Sequence, residues 1–432
     1  MAKTYLPYVP TQSFLLPPNP REWLPEDHLA MFIDQMVGGL DLGAIEAHYD
    51  AEVRGAPPHN PRMMVKVIFY AYTQGLHSAR KIERACIENI PYRVLAGNVA
   101  PDHSCFNRFR STHIEALADL FTQSLRLAQA QGLVRVGHVS LDGTKIKANA
   151  SRHKAMSYGR MTKEEKRLRD EIKKTLEEAQ RLDERENEEF GDEKENRLGP
   201  DFNTKEKRLK KIQEGMRRIE EEVRKKTGKP EALPDEKAQT NFTDPESRIM
   251  PTSSPKGAFD QAFNAQLVAN QDGWLLAIDV SQSSADSPHL PALMEQAIDN
   301  TGIVPEVGSF DAGYFSAPNL EYLKHKGIDA YIPPDRQKHG APVAPAPRGR
   351  IPAHLSPADR MRRKLRTKKG RAIYARRKAI AEPPIGLLKR VLGFRRFNMR
   401  GHTKARGEGR FVAAVYNVMK WYWSGTPAPT AG

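Results

Sequence analysis

The chain of 432 residues is long enough for two or three domains, each with its own core, and its hydrophobic fraction of 39% suits a globular protein carrying extended polar segments. A net charge of +15, from 68 lysines and arginines against 53 acids, points to a polyanionic partner, nucleic acid first among them. Cys86 and Cys105 lie in no Cys-x-x-Cys or Cys/His array, which argues against a disulfide scaffold or structural zinc and for a reducing, cytoplasmic setting.

Residues 1–20 are proline-rich, lack the apolar core of a signal peptide and are expected to run extended. From Pro25 to about Ala130 the pattern turns helical. HLAMFIDQMVGGLDLGAIEAHY and PRMMVKVIFYAYTQGLHSARKIERAC carry apolar residues at helical spacing, and PDHSCFNRFRSTH opens with a helix-start signal before a basic, aromatic-bearing run. Arg84, Arg93, Arg108 and Arg110 on these helices could enter a DNA groove or could be the solvated arginines of a small bundle. At Leu133 the period changes. LVRVGHVSLDGTKIKANAS alternates β-branched and polar residues and reads as two strands joined by a tight turn at Asp142-Gly143.

A charged block follows. Met161, Leu168, Ile172, Leu176, Ala179 and Leu182 share one helical face, and Leu209, Ile212, Met216, Ile219 and Val223 recur at three- and four-residue steps, a heptad seam. The segment EFGDEKENRLGPDFN between them carries Gly and Pro, so the arms at 161–182 and 205–226 are expected to fold back as an antiparallel helical hairpin, inserted at 155–235. After Pro251, FNAQLVANQDGWLLAIDVSQS reads as two strands turned at Gln271-Asp272-Gly273. SPHLPALMEQAIDNTG reads as a helix ending at Gly302, PEVGSFDAGYFS as a strand delivering Asp311, APNLEYLKHKG as a helix and IDAYIPP as a strand. Residues 335–372, including RMRRKLRTKKGR, read as a basic loop. YARRKAIAEPPIGLLKRVLGFRRF then begins helical with Glu382 near its middle. FVAAVYNVMKWYW, too short and too polar at Asn417 and Lys420 to span a membrane, closes the chain as an apolar helix. The order predicts a mixed α/β layer fold behind an all-α N-terminal region, divided at 1–130 and 131–432.

Three acids stand where a metal site would want them. Asp142 and Asp311 each end a predicted strand before small residues, and Glu382 sits on a late helix among cations. Phosphodiester cleavage uses hard oxygen ligands to hold Mg²⁺, and two ions about 3.5–4 Å apart activate the attacking oxygen and stabilise the leaving one without a protein nucleophile. No Ser/His/Asp or Cys/His arrangement offers such a nucleophile. Taken singly, an Asp before Gly is an ordinary turn residue and Glu382 an ordinary solvated helix residue. Among competing acids, Glu408 lies between Gly407 and Gly409 and reads as part of a turn, and Asp286 reads as a helix N-cap.

PDHSCFNRFR (101–110), SLDGTKIKANAS (140–151), FNAQLVAN (263–270), FDAGYFS (310–316) and YARRKAIAEPPIGLLKRVLGFRRF (374–397) together resemble the DDE transposases of bacterial insertion sequences. The last block is the most specific. Tyr374, Arg377, Glu382 and Lys389 fall close to that family's Tyr-Arg-Glu-Lys signature, with six residues between Glu382 and Lys389. The spacing departs at one point: four residues, not three, separate Arg377 from Glu382, and Lys378 occupies the stricter slot. The resemblance implies a ribonuclease-H-like mixed-sheet catalytic core at 131–432 behind a helical DNA-binding or assembly domain. It implies Asp142, Asp311 and Glu382 as ligands of two Mg²⁺ ions, with Mn²⁺ able to substitute. It further implies cleavage of double-stranded DNA at element ends, strand transfer into target DNA, a homodimer in the DNA complex and a bacterial, nucleoid-associated location. Lys145, Lys147, Tyr374, Arg377, Lys389, Arg395 and Arg396 are the expected DNA contacts, gripping phosphates or, for Tyr374, an end nucleotide. The alternatives are a DNA-binding protein without catalysis and a nuclease without joining activity.

Overall fold

A computed structural model describes residues 19–50, 57–190, 200–252, 258–335, 345–349, 352 and 354–429. The extended reading of residues 1–18 and most of the Gly/Pro linker between the hairpin arms lie outside them. The N-terminal region is helical: α1 (Leu29–Gly38), α2 (Gly43–Asp50), α3 (Pro61–Thr73), α4 (Ala79–Glu88), α5 (Ile90–Ala96), α6 (His103–Thr112) and α7 (Ile114–Ala130). Local chemistry sets the starts. The Asn60 side chain accepts from the Met63 N–H ahead of Pro61, and Asp102 accepts from the N–H groups of Ser104 and Cys105. Arg110 is buried and donates to the Tyr72 hydroxyl at 3.1 Å and the His77 carbonyl at 2.7 Å. It ties this bundle together, so it is not available to a DNA groove.

The remainder is built on a mixed sheet. Its strands are β1 (His138–Lys147), β4 (Arg248–Thr252), β5 (Ala258–Asn270), β6 (Leu275–Ser281), β7 (Val307–Phe310) and β8 (Asp329–Tyr331). Long β5 pairs antiparallel with β1 along one edge and with both β4 and β6 along the other, while β1, β7 and β8 run parallel. The chain does not turn at Asp142-Gly143. β1 runs straight through, pairing Asp142 with Leu267 and Gly143 with Gln266. Glycine is there for clearance: a Cβ would sit 3.3 Å from both Asn264 Oδ1 and Asp286 Oδ1. The turn expected at 271–273 is present, with Gly273 at φ +81°.

Between β1 and β4, a two-stranded sheet of β2 (Ala155–Ser157) and β3 (Gln239–Asn241) carries the hairpin of α8 (Tyr158–Phe190) and α9 (Pro200–Thr227). Met161, Leu168, Ile212 and Ile219 bury a small core of its own, as the heptad seam predicts. The helices α10 (Leu290–Thr301) and α11 (Ala317–His325) fall where their sequence patterns place them, and Gly302 closes α10 at φ +69°.

The basic segment is not a loop throughout. Its described part contains α12 (Pro357–Arg366) and the start of α13 (Lys368–Arg390). Ser356 accepts from the Asp359 N–H ahead of Pro357, and Thr367 accepts from the Gly370 N–H, so two capped starts outweigh the lack of apolar residues. The last helix, α14 (His402–Trp423), begins earlier than the apolar run and swallows the supposed turn at Gly407-Glu408-Gly409. Those glycines permit close packing: a Cβ would come within 2.5 Å of Ile114 at Gly407 and 2.9 Å of Val280 at Gly409. Glu408 is fully buried between them and accepts from the Tyr72 hydroxyl at 3.1 Å, the Asn398 N–H at 2.9 Å and the Asn398 side chain at 2.7 Å. One apolar core runs from α1, α3 and α7 through α14 into β1, β5 and β6.

Candidate active site

Two aspartates meet at the end of a parallel strand pair. The register of β1 and β7 ends at Leu141 opposite Phe310, so the next residue on each strand is an acid, Asp142 and Asp311. Adjacent strands lie ~4.8 Å apart, and residues in the same parallel register share a face. Each carboxylate is steadied by the following peptide: Asp142 Oδ1 accepts from the Gly143 N–H, and Asp311 Oδ1 from the Ala312 N–H, both at 2.8 Å. Asp142 is part-buried and Asp311 exposed.

The helix α13 crosses β1, β5 and β7. Arg377, Ile380, Ala381, Pro384 and Leu388 form its buried stripe at helical spacing. Arg377 is the charged member of that stripe, and its guanidinium reaches within 3.8 Å of Asp142 Oδ2. Lys378, in the stricter slot of the sequence signature, is exposed instead. Glu382 is exposed on the same helix. Burial pushes the Asp142 carboxyl above the usual range; the Gly143 N–H and Arg377 pull it back, and the charges of Asp311 and Glu382 push it further up. Asp142 therefore feels the charge of both other acids. Among the described residues, however, no three His, Cys, Asp or Glu side chains stand close enough together to hold a metal ion. The donor chemistry, carboxylate oxygens, suits a hard divalent cation; the buried Asn264 Oδ1 and Gln266 Oε1, without hydrogen-bond partners among the described residues, belong to the sheet face opposite Asp142.

Comparison with known families settles the class. A family model described as a transposase domain matches residues 18–112, and one described as a transposase DDE domain matches residues 239–418. The chain is a DDE-type transposase of an insertion element. With the DDE domain comes a ribonuclease-H-like fold, here the mixed sheet with its N-terminal helical region. The DDE match includes Asp311 and Glu382, while Asp142 and the helical hairpin fall outside both matches. No curated protein and no solved structure matches the transposase. Among its described residues no helix is long and apolar enough to cross a membrane.

The expected DNA contacts of the transposase separate into groups. Lys145 and Lys147 continue β1 itself, and alternation puts them on the sheet face opposite Asp142. Lys145 lies 3.7 Å from Asp286 and Lys147 2.8 Å from Asp260. Lys389 is half-buried and donates to the Thr144 hydroxyl, two residues beyond Asp142 on its face. Burial, then the charge of Arg395, pushes its ammonium pKa down. Arg395 and Arg396 are exposed, and Tyr374 lies half-buried with the Arg377 guanidinium 5.9 Å from its ring centre.

One acid plays a different part from the one its sequence context suggests. Asp286 precedes a short 3₁₀ turn but makes no side-chain capping bond. Its Oδ1 accepts instead from Asn264 at 3.0 Å and Gln266 at 2.7 Å. The signal lay in β5, where Asn264 and Gln266 alternate with apolar residues in FNAQLVAN and so share one face.

Proposed function

We propose that this transposase cuts DNA at the ends of its element with divalent metal held by Asp142, Asp311 and Glu382, then joins the freed 3′ ends to target DNA. The register of β1 and β7 supports this most directly, because the residues that follow its last pair, Leu141 and Phe310, are both aspartates. When bound there, a pair of Mg²⁺ ions, or Mn²⁺ in their place, would activate the attacking oxygen and neutralise the leaving one. The chain's own contribution is orientation and charge. Peptide N–H groups preset both aspartates, and Glu382, exposed on α13, is the acid free to close on them. Arg377, Tyr374, Lys389, Arg395 and Arg396 line the approach of the phosphate backbone, while Lys145 and Lys147 lie behind the sheet. We assign end recognition and assembly to residues 1–130 and catalysis to 131–432, with the hairpin at 155–235 as an insertion.

The test is a metal-dependent cleavage assay on DNA carrying the terminal repeats, with wild type beside Glu382→Gln. The substitution should lower cleavage by at least about 10³-fold while leaving end binding intact. Cleavage by both proteins would exclude Glu382 as the third acid. A second reading, a DNA-binding protein that no longer cuts, draws on the absence of a converged three-acid cluster among the described residues; binding without cleavage by either protein would establish it.

A further inference from the structure

We propose that the cleft between the helical hairpin and the small sheet of β2 and β3 is a further DNA-backbone site of the transposase, gripping phosphates through Lys154, Lys207 and Lys211 without reading sequence. The inference rests on DNA as the partner of the transposase, and not on which acids hold the metal. It begins with a local cost in α9. Lys207 and Lys211 are four residues apart, so their ammonium groups share one face of the helix. Four residues further out on either side stand Asn203 and Gly215, neither of them an acid. Like charges at this spacing destabilise a helix, so the stability of α9 does not account for them. Other cations of the hairpin are matched at the same spacing: Arg169 with Glu165 at 2.8 Å, Lys210 with Glu206 at 3.1 Å and Arg217 with Glu221 at 3.8 Å.

Packing turns that helix face into a cleft. Gly215 lets the small sheet lie close on α9, because a Cβ there would sit 3.1 Å from the Phe242 ring and 3.2 Å from Thr240. The Phe242 N–H donates to the Lys154 carbonyl at 3.1 Å, which holds Lys154 and the adjoining His153 in the opposite wall. The space between is about 630 Å³. His153, Lys154, Arg160, Lys207, Arg208 and Lys211 line it, all exposed, and among the described residues no acid does. Arg208 pairs with Glu164 at 2.8 Å, while Lys154, Lys207 and Lys211 form no ion pair among the described residues. A concave wall of one sign concentrates its field on an incoming polyanion, and lysines meet phosphates as point charges. The place of the cleft favours DNA over an acidic protein segment. His153 follows Lys147, the end of β1, by six residues, a reach of at most ~20 Å. One turn of duplex is about 34 Å long, so DNA docked beside β1 extends to the cleft within a single turn. Both helices of the hairpin lie outside the two family matches.

The experiment is DNA binding by the full-length transposase, read by fluorescence anisotropy over a range of salt, on a duplex carrying the terminal repeat and on a shuffled duplex of equal length. Each phosphate neutralised contributes about 0.9 to the slope of log affinity against log salt. Lys207→Gln with Lys211→Gln should therefore lower that slope by about 1.8 and weaken binding to both duplexes by the same factor. Lys207→Arg with Lys211→Arg should keep the wild-type slope, and a loss there as large as in the glutamine pair overturns the inference. The control is Lys210→Gln with Arg217→Gln, which removes equal charge from matched positions on the same helix and should leave the slope near that of wild type. Equal losses in the control and the Lys207, Lys211 pair reduce the effect to net charge and overturn the inference. An unchanged slope in the Lys207, Lys211 pair overturns it too; if light scattering then shows two chains falling to one, the cleft is a protein interface instead. A wild type that binds neither duplex removes the DNA reading beneath it.

Discussion

His138 opens β1 with its ring 8% exposed and Nε2 2.8 Å from the Ser309 hydroxyl of β7, so a titratable group bridges the two strands that carry the acids. Burial, then the charge of Arg376, pushes its pKa down to about 4 from 6.5. The unfolded chain therefore takes up the proton first as pH falls. Stability is full above pH 6.5 and is lost progressively between 6.5 and about 4. By about pH 5 the loss reaches at most about 2 kcal/mol. Urea unfolding at about pH 7.5 and about pH 5 should show this slope, and His138→Gln should flatten it; equal slopes would clear His138 of the effect. At this scale the sequence was legible where a signal is local and ambiguous where a neighbour far along the chain decides. Asp142 and Asp311 stand out in the sequence as acids after short apolar runs, and the register of β1 and β7 puts each one residue past its last pair. Gly143 and Gly407 were misread as turn residues because local context cannot reveal Asn264, Asp286 or Ile114 pressing on their α-carbons.

Among elements, periodicity carried the hairpin of α8 and α9, because a heptad seam repeats within one stretch of chain. The three-residue strands β2 and β3 at its base have too few residues to show alternation. The helices α12 and α13 hide for another reason. Their apolar content is low, and their ends are fixed by single capping side chains. Ser356→Ala should cost about 1 kcal/mol and raise hydrogen exchange through α12; exchange unchanged along that helix would show the cap to be idle. Within α13, Pro383 and Pro384 directly follow Glu382 and remove the N–H partners of the Ala379 and Ile380 carbonyls. Glu382, the third acid of the proposed triad, thus sits on a turn of helix held by fewer backbone bonds than its neighbours, which would suit a residue that has to close on the other two.

For the whole molecule, the proposed cutting and joining of two element ends would ask for two active sites held together. The hairpin, with its separate small core, is the element we expect to bridge them. Light scattering of the DNA-bound transposase should give two chains per complex, and a complex holding a single chain would refute the homodimer. The hinge of the architecture is α14. It is wedged between α7 and β6, with the Phe411 ring 5.0 Å from Phe69 and Asn417 accepting from the Leu275 N–H of β6 at 3.0 Å. The N-terminal helices and the mixed sheet thus share a wall made by α14. A chain that stops before residue 402 would leave both halves with an exposed apolar face, so we expect it to yield no folded fragment able to compete with intact transposase for the element's ends. Decay of such copies should then be silent, leaving those that remain whole undisturbed.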